Sequence, residues 1–197
     1  MKYDDTKMSN PILRSVQKQH PKFFRAVAAD ASLTLKYRAE KYDISKISLA
    51  LQIIRLSWVS DAFLAQVLYR AKARLQYFRI PILPTVLHRL AMMHSQVCIG
   101  TPVIIEPGIY IAHGQVVVDG FSKIESGVIL FPWVTIGLKA GNFQGPTLKR
   151  NVHVGTGAKV IGPLIVGEGS VIGANAVIIN DVACNTTVVG IPARALE

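Results

Sequence analysis

Aliphatic residues recur at every sixth position in the second half of the chain, and this period constrains the fold more than any other feature. The unbroken series holds Leu148, Val154, Val160, Val166, Ile172 and Ile178. Extended backwards it holds Ile136, Leu130 and Ile124, and an earlier series, offset by one residue, holds Ile105, Ile111 and Val117. A period of six fits neither an isolated α-helix, which repeats every 3.6 residues, nor a simple strand, which alternates every two.

This period predicts a β-solenoid in which each six-residue unit forms one flat side of a coil. The aliphatic residue points inward and stacks on its equivalent in the next coil, while a small residue four places later lets the backbone turn. Three sides per coil give about five coils. Asn142 departs from the aliphatic series, so we expect residues 138–147 to leave the coil as a loop that borders a binding site.

Residues 10–94 instead show the three- and four-residue spacing of buried helical faces. Ser60-Asp61 is a predicted helix start, with Ser60 as the cap, and Pro81 ends that helix. Arg70, Lys72, Arg74 and Arg79 occupy the rest of the helix surface. Further breaks are predicted at Asp30, at Asp43 and at the Pro81/Pro84 pair. The chain is therefore predicted to be mainly β with α, with an α-helical N-terminal domain over 1–95 and the solenoid over 96–197.

The net charge is confined to the helical half. Residues 1–95 hold 16 Lys and Arg against 6 Asp and Glu, whereas residues 96–197 hold 6 of each, so the whole +10 belongs to the first half. The default expectation is a solvated helical surface. The alternative is a cationic face that holds the protein near an anionic membrane or a charged glycan. No nucleic-acid recognition motif accompanies the charge, and we expect no nucleic-acid partner.

The sequence also bears on the compartment. No uncharged apolar run approaches the roughly 18 residues of a membrane-spanning helix, and the first residues lack the layout of a signal peptide. Cys98 and Cys184 have no disulfide or metal-site spacing. We therefore expect a cytoplasmic protein, with peripheral membrane contact as the alternative.

The repeats carry a family resemblance. The segments VGTGAK, VIGPLI, VGEGSV and IGANAV, with the ending VVGIPAR, resemble the hexapeptide-repeat acyltransferases, and within them the serine acetyltransferase-like branch. The resemblance is loose over the whole chain and close over residues 99–194. It implies a left-handed parallel β-helix, a homotrimer, and acetyl-CoA bound in a groove between neighbouring subunits. In the serine enzymes the N-terminal helices join two trimers, so a dimer of trimers is the larger alternative.

The segment IYIAHGQVVVDG places His113 where the branch carries its catalytic histidine. The resemblance implies that His113 is the general base, a role that suits a neutral imidazole. Ala112 stands where the branch has an acid beside that histidine, and Ile99 stands at or near the place of a second acid that orients it. Asp119 is the acid that we expect to orient His113, with Glu106 or a backbone carbonyl as alternatives.

The loop GLKAGNFQGPT predicts the acceptor. The serine enzymes carry an Arg-His pair before the proline to bind the amino acid's carboxylate, and here Gln144 and Gly145 take those places. Without that cationic clamp, a loop rich in Gly, Asn and Gln favours a sugar or glycan hydroxyl, as in O-acetyltransferases of polysaccharide pathways. The predicted acceptor contacts are Gln115, Trp133, Asn142 and Gln144. Serine as the acceptor, in cysteine biosynthesis, and a non-catalytic trimeric scaffold are the alternatives.

Positions that match the family also predict how acetyl-CoA binds. Small residues let the pantetheine arm approach the backbone, although a coil corner needs small residues in any case; these positions are Gly137, Thr156 and Ala174. Lys159 and Arg194 are the cations expected to meet the phosphates.

A metal is not expected. The γ-class carbonic anhydrases share this β-helix but need three imidazoles around zinc. His113 and His153 are 40 positions apart, and the repeats hold no third histidine.

Overall fold

The computed structural model describes residues 11–38 and 46–196, in which a helical region precedes a coil of short strands. The helices are α1 (Pro11–Gln19), α2 (Phe23–Tyr37), α3 (Lys46–Val59), α4 (Phe63–Tyr77) and α5 (Leu83–Ser95). The strands are β1 (Cys98–Ile99), β2 (Ile104–Ile105), β3 (Tyr110–Ile111), β4 (Val117–Val118), β5 (Lys123–Ile124), β6 (Ile129–Leu130), β7 (Thr135–Gly137), β8 (Thr147–Leu148), β9 (His153–Val154), β10 (Lys159–Ile161), β11 (Ile165–Val166), β12 (Val171–Ile172), β13 (Val177–Ile178), β14 (Thr187–Gly190) and β15 (Ala193–Ala195). Within these residues no helix has the length and apolar character needed to cross a membrane.

The strands wind into a left-handed parallel β-helix, which confirms the fold predicted from the six-residue period. The first sheet is β1-β4-β7-β10-β13, the second is β2-β5-β8-β11, and the third is β3-β6-β9-β12-β14 with β15 added antiparallel. The register of the first sheet aligns Ile136 with Val160 and Val160 with Ile178, and all three are buried. Each inward aliphatic therefore packs on its equivalents in the adjacent coils.

One residue that the six-residue period predicts to point into the coil does not do so. The six-residue series places Val117 inward, but Val117 is 39% exposed, and Val118 is fully buried instead. The register aligns Val118 with Ile136. The reason is an extra residue in the coil, since seven positions rather than six separate the inward Ile111 from Val118. That residue lies at the corner that carries His113.

The first coil has an open edge, which side chains of α4 cover. Backbone carbonyls on this edge have no preceding coil to bond, and burying them unpaired would cost free energy. Side chains of α4 donate hydrogen bonds to five carbonyls of this coil, at 2.6 to 3.2 Å: Gln66 to Ile109, Tyr69 to Val103, Arg70 to Ile105 and Glu106, and Lys72 to Ile99. Polar residues of α4 therefore satisfy an edge that would otherwise be left unpaired.

Arg70 and Lys72 are each only 4% exposed, so the expected solvated surface is wrong at these two positions. Arg70 pairs with Asp30 of α2, with 2.9 Å between Nε and Oδ2. Asp30 also accepts hydrogen bonds from the backbone amides of Gly108 and Ile109, at 2.8 and 3.0 Å. The predicted break at Asp30 is wrong because this carboxylate is satisfied by contacts with α4 and the first coil, and α2 runs through it.

The other predicted helix boundaries have mixed outcomes. Ser60 does not cap α4 with its side chain, because the helix starts at Phe63 and Ala62 is its N-terminal flanking residue. Pro81 lies in the connection between α4 and α5, which confirms a break there, and Pro84 lies in the first turn of α5, where proline is tolerated. Asp43 lies outside the described residues.

The two ring nitrogens of His20, between α1 and α2, are buried, and they have no hydrogen-bond partner in the described part of the chain. Burial, aided by the charges of Arg70 and Lys72, lowers the pKa of His20 from 6.5 to about 4. Between these values the unfolded chain binds a proton that the folded chain does not. Above pH 6.5 we therefore expect no loss of unfolding free energy from His20. As the pH drops to about 4, the free energy of unfolding should fall by up to about 3 kcal/mol.

Urea unfolding on both sides of this pH window measures the effect. His20→Phe keeps an aromatic ring against Tyr69 and removes the titrating group, so it should remove the acid-side loss. His94→Phe, at an exposed position of α5, is the matched control and should keep the loss. An unchanged pH dependence in His20→Phe would contradict the assignment.

Candidate active site

One corner of the β-helix, between the third and first sheets, carries most of the predicted site residues, and we call it the His113 corner. Backbone hydrogen bonds connect its successive coils: the amide of Trp133 donates to the carbonyl of Gln115 at 2.8 Å, and that of Gly157 donates to Pro132 at 2.9 Å. The column of predicted residues along this corner is His113, Gln115, Trp133, Thr156 and Ala174. The structure thus places the predicted base, two predicted acceptor contacts and two predicted CoA contacts on one side of the molecule.

The backbone at the head of this corner is strained. His113, Gly114 and Gln115 all have left-handed φ values, of 61°, 97° and 51°. Position 114 needs glycine for a second reason, since a Cβ there would lie 2.2 Å from the carbonyl oxygen of Ser95 at the end of α5. The amide of Gln115 donates to that same oxygen at 2.9 Å. This bulge absorbs the extra residue of the coil and leaves the His113 side chain 71% exposed.

The carboxylate of Asp61 lies beside the imidazole, with 2.8 Å between Oδ2 and Nδ1 of His113. Asp61 belongs to the connection between α3 and α4, 52 positions earlier in the chain. The predicted orienting acids lie elsewhere: Asp119 follows β4 at the next corner, and the Glu106 carboxylate accepts a hydrogen bond from Ser126. The acid that the structure places beside His113 is therefore Asp61 and not Asp119. The sequence alone identifies Asp61 only as part of a helix start.

The remaining predicted acceptor residues lie at the corner between the first and second sheets. β7 ends at Gly137 and β8 begins at Thr147, so the intervening segment leaves the coil as predicted. Within it, Asn142 Oδ1 accepts a hydrogen bond from the amide of Gln144 at 2.9 Å. A cavity of about 370 Å³ separates this loop from the first two coils; its lining includes Cys98, Asp119, Phe121 and Phe143. Asn142, Gln144 and Asp119 thus share a corner with one another and not with His113.

The predicted CoA contacts Lys159, Gly137 and Arg194 lie in different parts of the β-helix. Lys159 lies at the His113 corner, where its Nζ donates to the carbonyl of Trp133 at 2.6 Å. A Cβ added to Gly137 would meet no atom within 4 Å, so packing of the coil does not itself require glycine there. Arg194 lies apart from both, in β15 of the third sheet, and is exposed.

His153 is engaged in packing. Its Nε2 lies 3.5 Å from the hydroxyl of Tyr37, and Tyr37 stacks on Tyr110 with ring centroids 5.3 Å apart. These contacts attach α2 to the third sheet, and burial raises the pKa of the Tyr110 phenol. Over residues 11–38 and 46–196, no group of three or more His, Cys, Asp or Glu side chains is arranged to hold a metal ion.

The chain has relatives of known name, although no protein-family model matches it. The serine acetyltransferase of Synechococcus elongatus is 38% identical over 137 residues, which cover 68% of this chain and 56% of that protein. The serine acetyltransferase of Helicobacter pylori is 36% identical over 132 residues, which cover 65% of this chain and 77% of that protein. The chain thus spans little more than half the length of the first relative. A solved serine acetyltransferase in complex with CoA matches with a TM-score of 0.74 and 27% identity, over 96% of this chain and 80% of that one.

These relatives contradict the predicted acceptor. The prediction of a sugar or glycan hydroxyl is wrong, because relatives at 36% and 38% identity are serine acetyltransferases. A place near the polysaccharide-pathway enzymes receives no support from them either. The error has a clear source: the prediction relied on Gln144 and Gly145 in one loop, whereas the similarity extends over 137 residues.

Proposed function

The chain belongs to the serine acetyltransferase family, and from this premise we propose that it transfers the acetyl group of acetyl-CoA to the hydroxyl of serine. The observation that best supports the proposal is the His113 corner. It presents an exposed imidazole on a strained bulge, at the head of a column that continues through Trp133 and Thr156.

The reaction needs a base, because an alcohol is a poor nucleophile until its proton begins to leave. The Nε2 atom of His113 accepts the proton of the serine hydroxyl while the hydroxyl oxygen bonds to the thioester carbon. The resulting tetrahedral intermediate expels the CoA sulfur, which takes that proton from the imidazolium. The products are O-acetylserine and CoA, and no covalent acyl-enzyme is formed.

Acetyl-CoA lies along the His113 corner in this proposal, with its pantetheine arm against Thr156 and Ala174. At the other end of β7 from this corner, Gly137 has open space beside its backbone, so a ligand that extends along the first sheet can approach closely there. Lys159 adds positive charge to the same corner, and Arg194 is the proposed phosphate contact on the third sheet.

The carboxylate of serine needs a different contact from the one the family resemblance implies. Gln144 and Gly145 replace the cationic pair, and a neutral amide gives a weaker hydrogen bond to a carboxylate than a guanidinium does. Acceptor analogues that lack one charged group at a time therefore test this contact.

We also propose that the chain assembles as a homotrimer. One side of α5 leaves Val86, Leu90 and Met93 exposed at four- and three-residue spacing, an apolar stripe suited to contact with another chain. Pairing of two trimers through the helices and contact of the cationic helical region with anionic membrane stay predictions. Analytical ultracentrifugation and liposome flotation at two salt concentrations test them.

Serine is expected to release CoA from acetyl-CoA in a saturable reaction, with a turnover number on the order of 1–10³ s⁻¹. A thiol-trapping assay measures the CoA, and mass spectrometry identifies O-acetylserine. Ethanolamine, which lacks the carboxylate, and 3-hydroxypropionate, which lacks the amine, should react more slowly than serine. CoA release that does not rise above thioester hydrolysis at any serine concentration would contradict the proposal.

A further inference from the structure

We infer that Asp61 is a positioning residue for His113, so that the helical region supplies part of the active centre. The inference rests on the proposed function for its role in turnover, but the pair itself is a feature of the structure. The acid comes from the connection between α3 and α4, outside the hexapeptide repeats that carry the histidine.

The geometry determines which ring nitrogen is available for chemistry. Asp61 Oδ2 lies 2.8 Å from Nδ1 of His113, a distance typical of a short charge-assisted hydrogen bond. A carboxylate can only accept, so Nδ1 must carry the hydrogen. In the neutral imidazole Nε2 is then left without a proton, as a base requires.

The position of Asp61 relative to His113 is fixed from both sides. The hydroxyl of Ser95 donates to the backbone carbonyl of Asp61, and the carbonyl of Ser95 accepts the amide of Gln115. Directly after Asp61, Ala62 and Phe63 are fully buried. Ser95 therefore connects the backbone that carries the acid to the bulge that carries the base.

Arg38 is a cation near the pair, since it acts together with Asp61 on the Tyr110 phenol, three positions before His113. A guanidinium only donates hydrogen bonds, so Arg38 cannot accept the hydrogen of Nδ1. In the solenoid, the positions where the family resemblance implies acids are taken by Ala112 and Ile99, which are buried and apolar. Asp61 thus stands in place of an acid that this solenoid lacks.

The contribution of Asp61 should be one of orientation. Both side chains are well exposed in the single chain, at 71% for His113 and 65% for Asp61, so solvent screens their attraction. Loss of the carboxylate should leave the imidazole in place but let it rotate and exchange tautomers. We therefore expect Asp61→Asn to lower kcat by about 10- to 100-fold, with a KM for acetyl-CoA close to that of the wild type.

The test combines kinetics with the ring nitrogen signals of His113. Nitrogen NMR of histidine-labelled protein, in the pH range where the imidazole is neutral, reports which nitrogen carries the hydrogen. The wild type should show the hydrogen on Nδ1, Asp61→Asn should shift toward a mixture of tautomers, and Asp61→Glu should recover part of both the tautomer and the rate. Glu168→Gln, at an exposed position of the fourth coil, is the control and should change neither.

The outcomes separate this inference from the proposed function. An unchanged tautomer and an unchanged kcat in Asp61→Asn would overturn the inference. Failure of the wild type to acetylate serine would overturn the proposed function, while the tautomer change would still be measurable and would still support the pair.

Discussion

A His113→Ala variant is expected to acetylate serine about 10²- to 10⁴-fold more slowly than the wild-type chain, because it lacks the base that accepts the hydroxyl proton. The effect should fall on kcat, since the imidazole acts on the reacting hydroxyl and the proposed CoA contacts lie further along the corner. Steady-state kinetics with varied serine and varied acetyl-CoA measure this separation.

Stability and ligand binding provide the checks on this variant. The His113 side chain is 71% exposed, so its removal should change the free energy of unfolding by no more than about 0.5 kcal/mol. The thermal shift caused by acetyl-CoA should persist. His94→Ala, at an exposed position of α5, is the matched histidine control and should keep full activity. Wild-type kcat in His113→Ala would remove the main support for the proposed mechanism.

An Asp30→Ala variant is expected to lose about 3–5 kcal/mol of folding free energy, because it leaves Arg70 as a buried charge without its carboxylate. The two side chains are 1% and 3% exposed and share two hydrogen bonds, of 2.9 and 3.1 Å. The same substitution removes the acceptor of the Gly108 and Ile109 amides, so the open edge of the first coil loses partners as well. Chemical unfolding followed by circular dichroism measures the loss.

A double-mutant cycle isolates the pair. The double variant with Asp30→Leu and Arg70→Met should be less destabilised than the sum of the two single variants, because no charge is then buried alone. Glu125→Gln removes one partner of a more exposed ion pair, with Lys149 at 3.2 Å, and should cost less than about 1 kcal/mol. Equal losses in Asp30→Ala and Glu125→Gln would show that the pair does not hold α2 and α4 to the coil.

The extent of sequence-based prediction differs between the two halves. The coil and its inward aliphatics were predictable because most contacts within each sheet join residues about three six-residue units apart, so the repeat appears directly in the sequence. Val117 was misplaced because one extra residue at a single corner shifts the register, and a periodic pattern does not show where such a bulge will be absorbed. Arg70 and Lys72 were misplaced because helical spacing identifies an apolar face but not which surface the polar face meets.

Some residues of the candidate site could likewise be predicted from the sequence, and others could not. His113 could be identified because the motif around it is local and repeats a family pattern. Asp61 could not, since its partner is 52 positions away and its own neighbours indicate only a helix boundary. The acceptor was mispredicted from Gln144 and Gly145, because the residues of one loop were given more weight than the similarity of the whole repeat region.

The sequence by itself determined the β-helix, its approximate number of coils, the loop at 138–147 and the histidine at the head of one corner. These features depend on interactions between residues close together or evenly spaced along the chain. The tertiary structure alone decided that cations of the helical half cover the first coil and that Asp61 meets His113. Those contacts arise where the helical region packs against the β-helix. Buried carbonyls at that junction must find hydrogen-bond donors, but the residues that donate follow no repeat in the sequence.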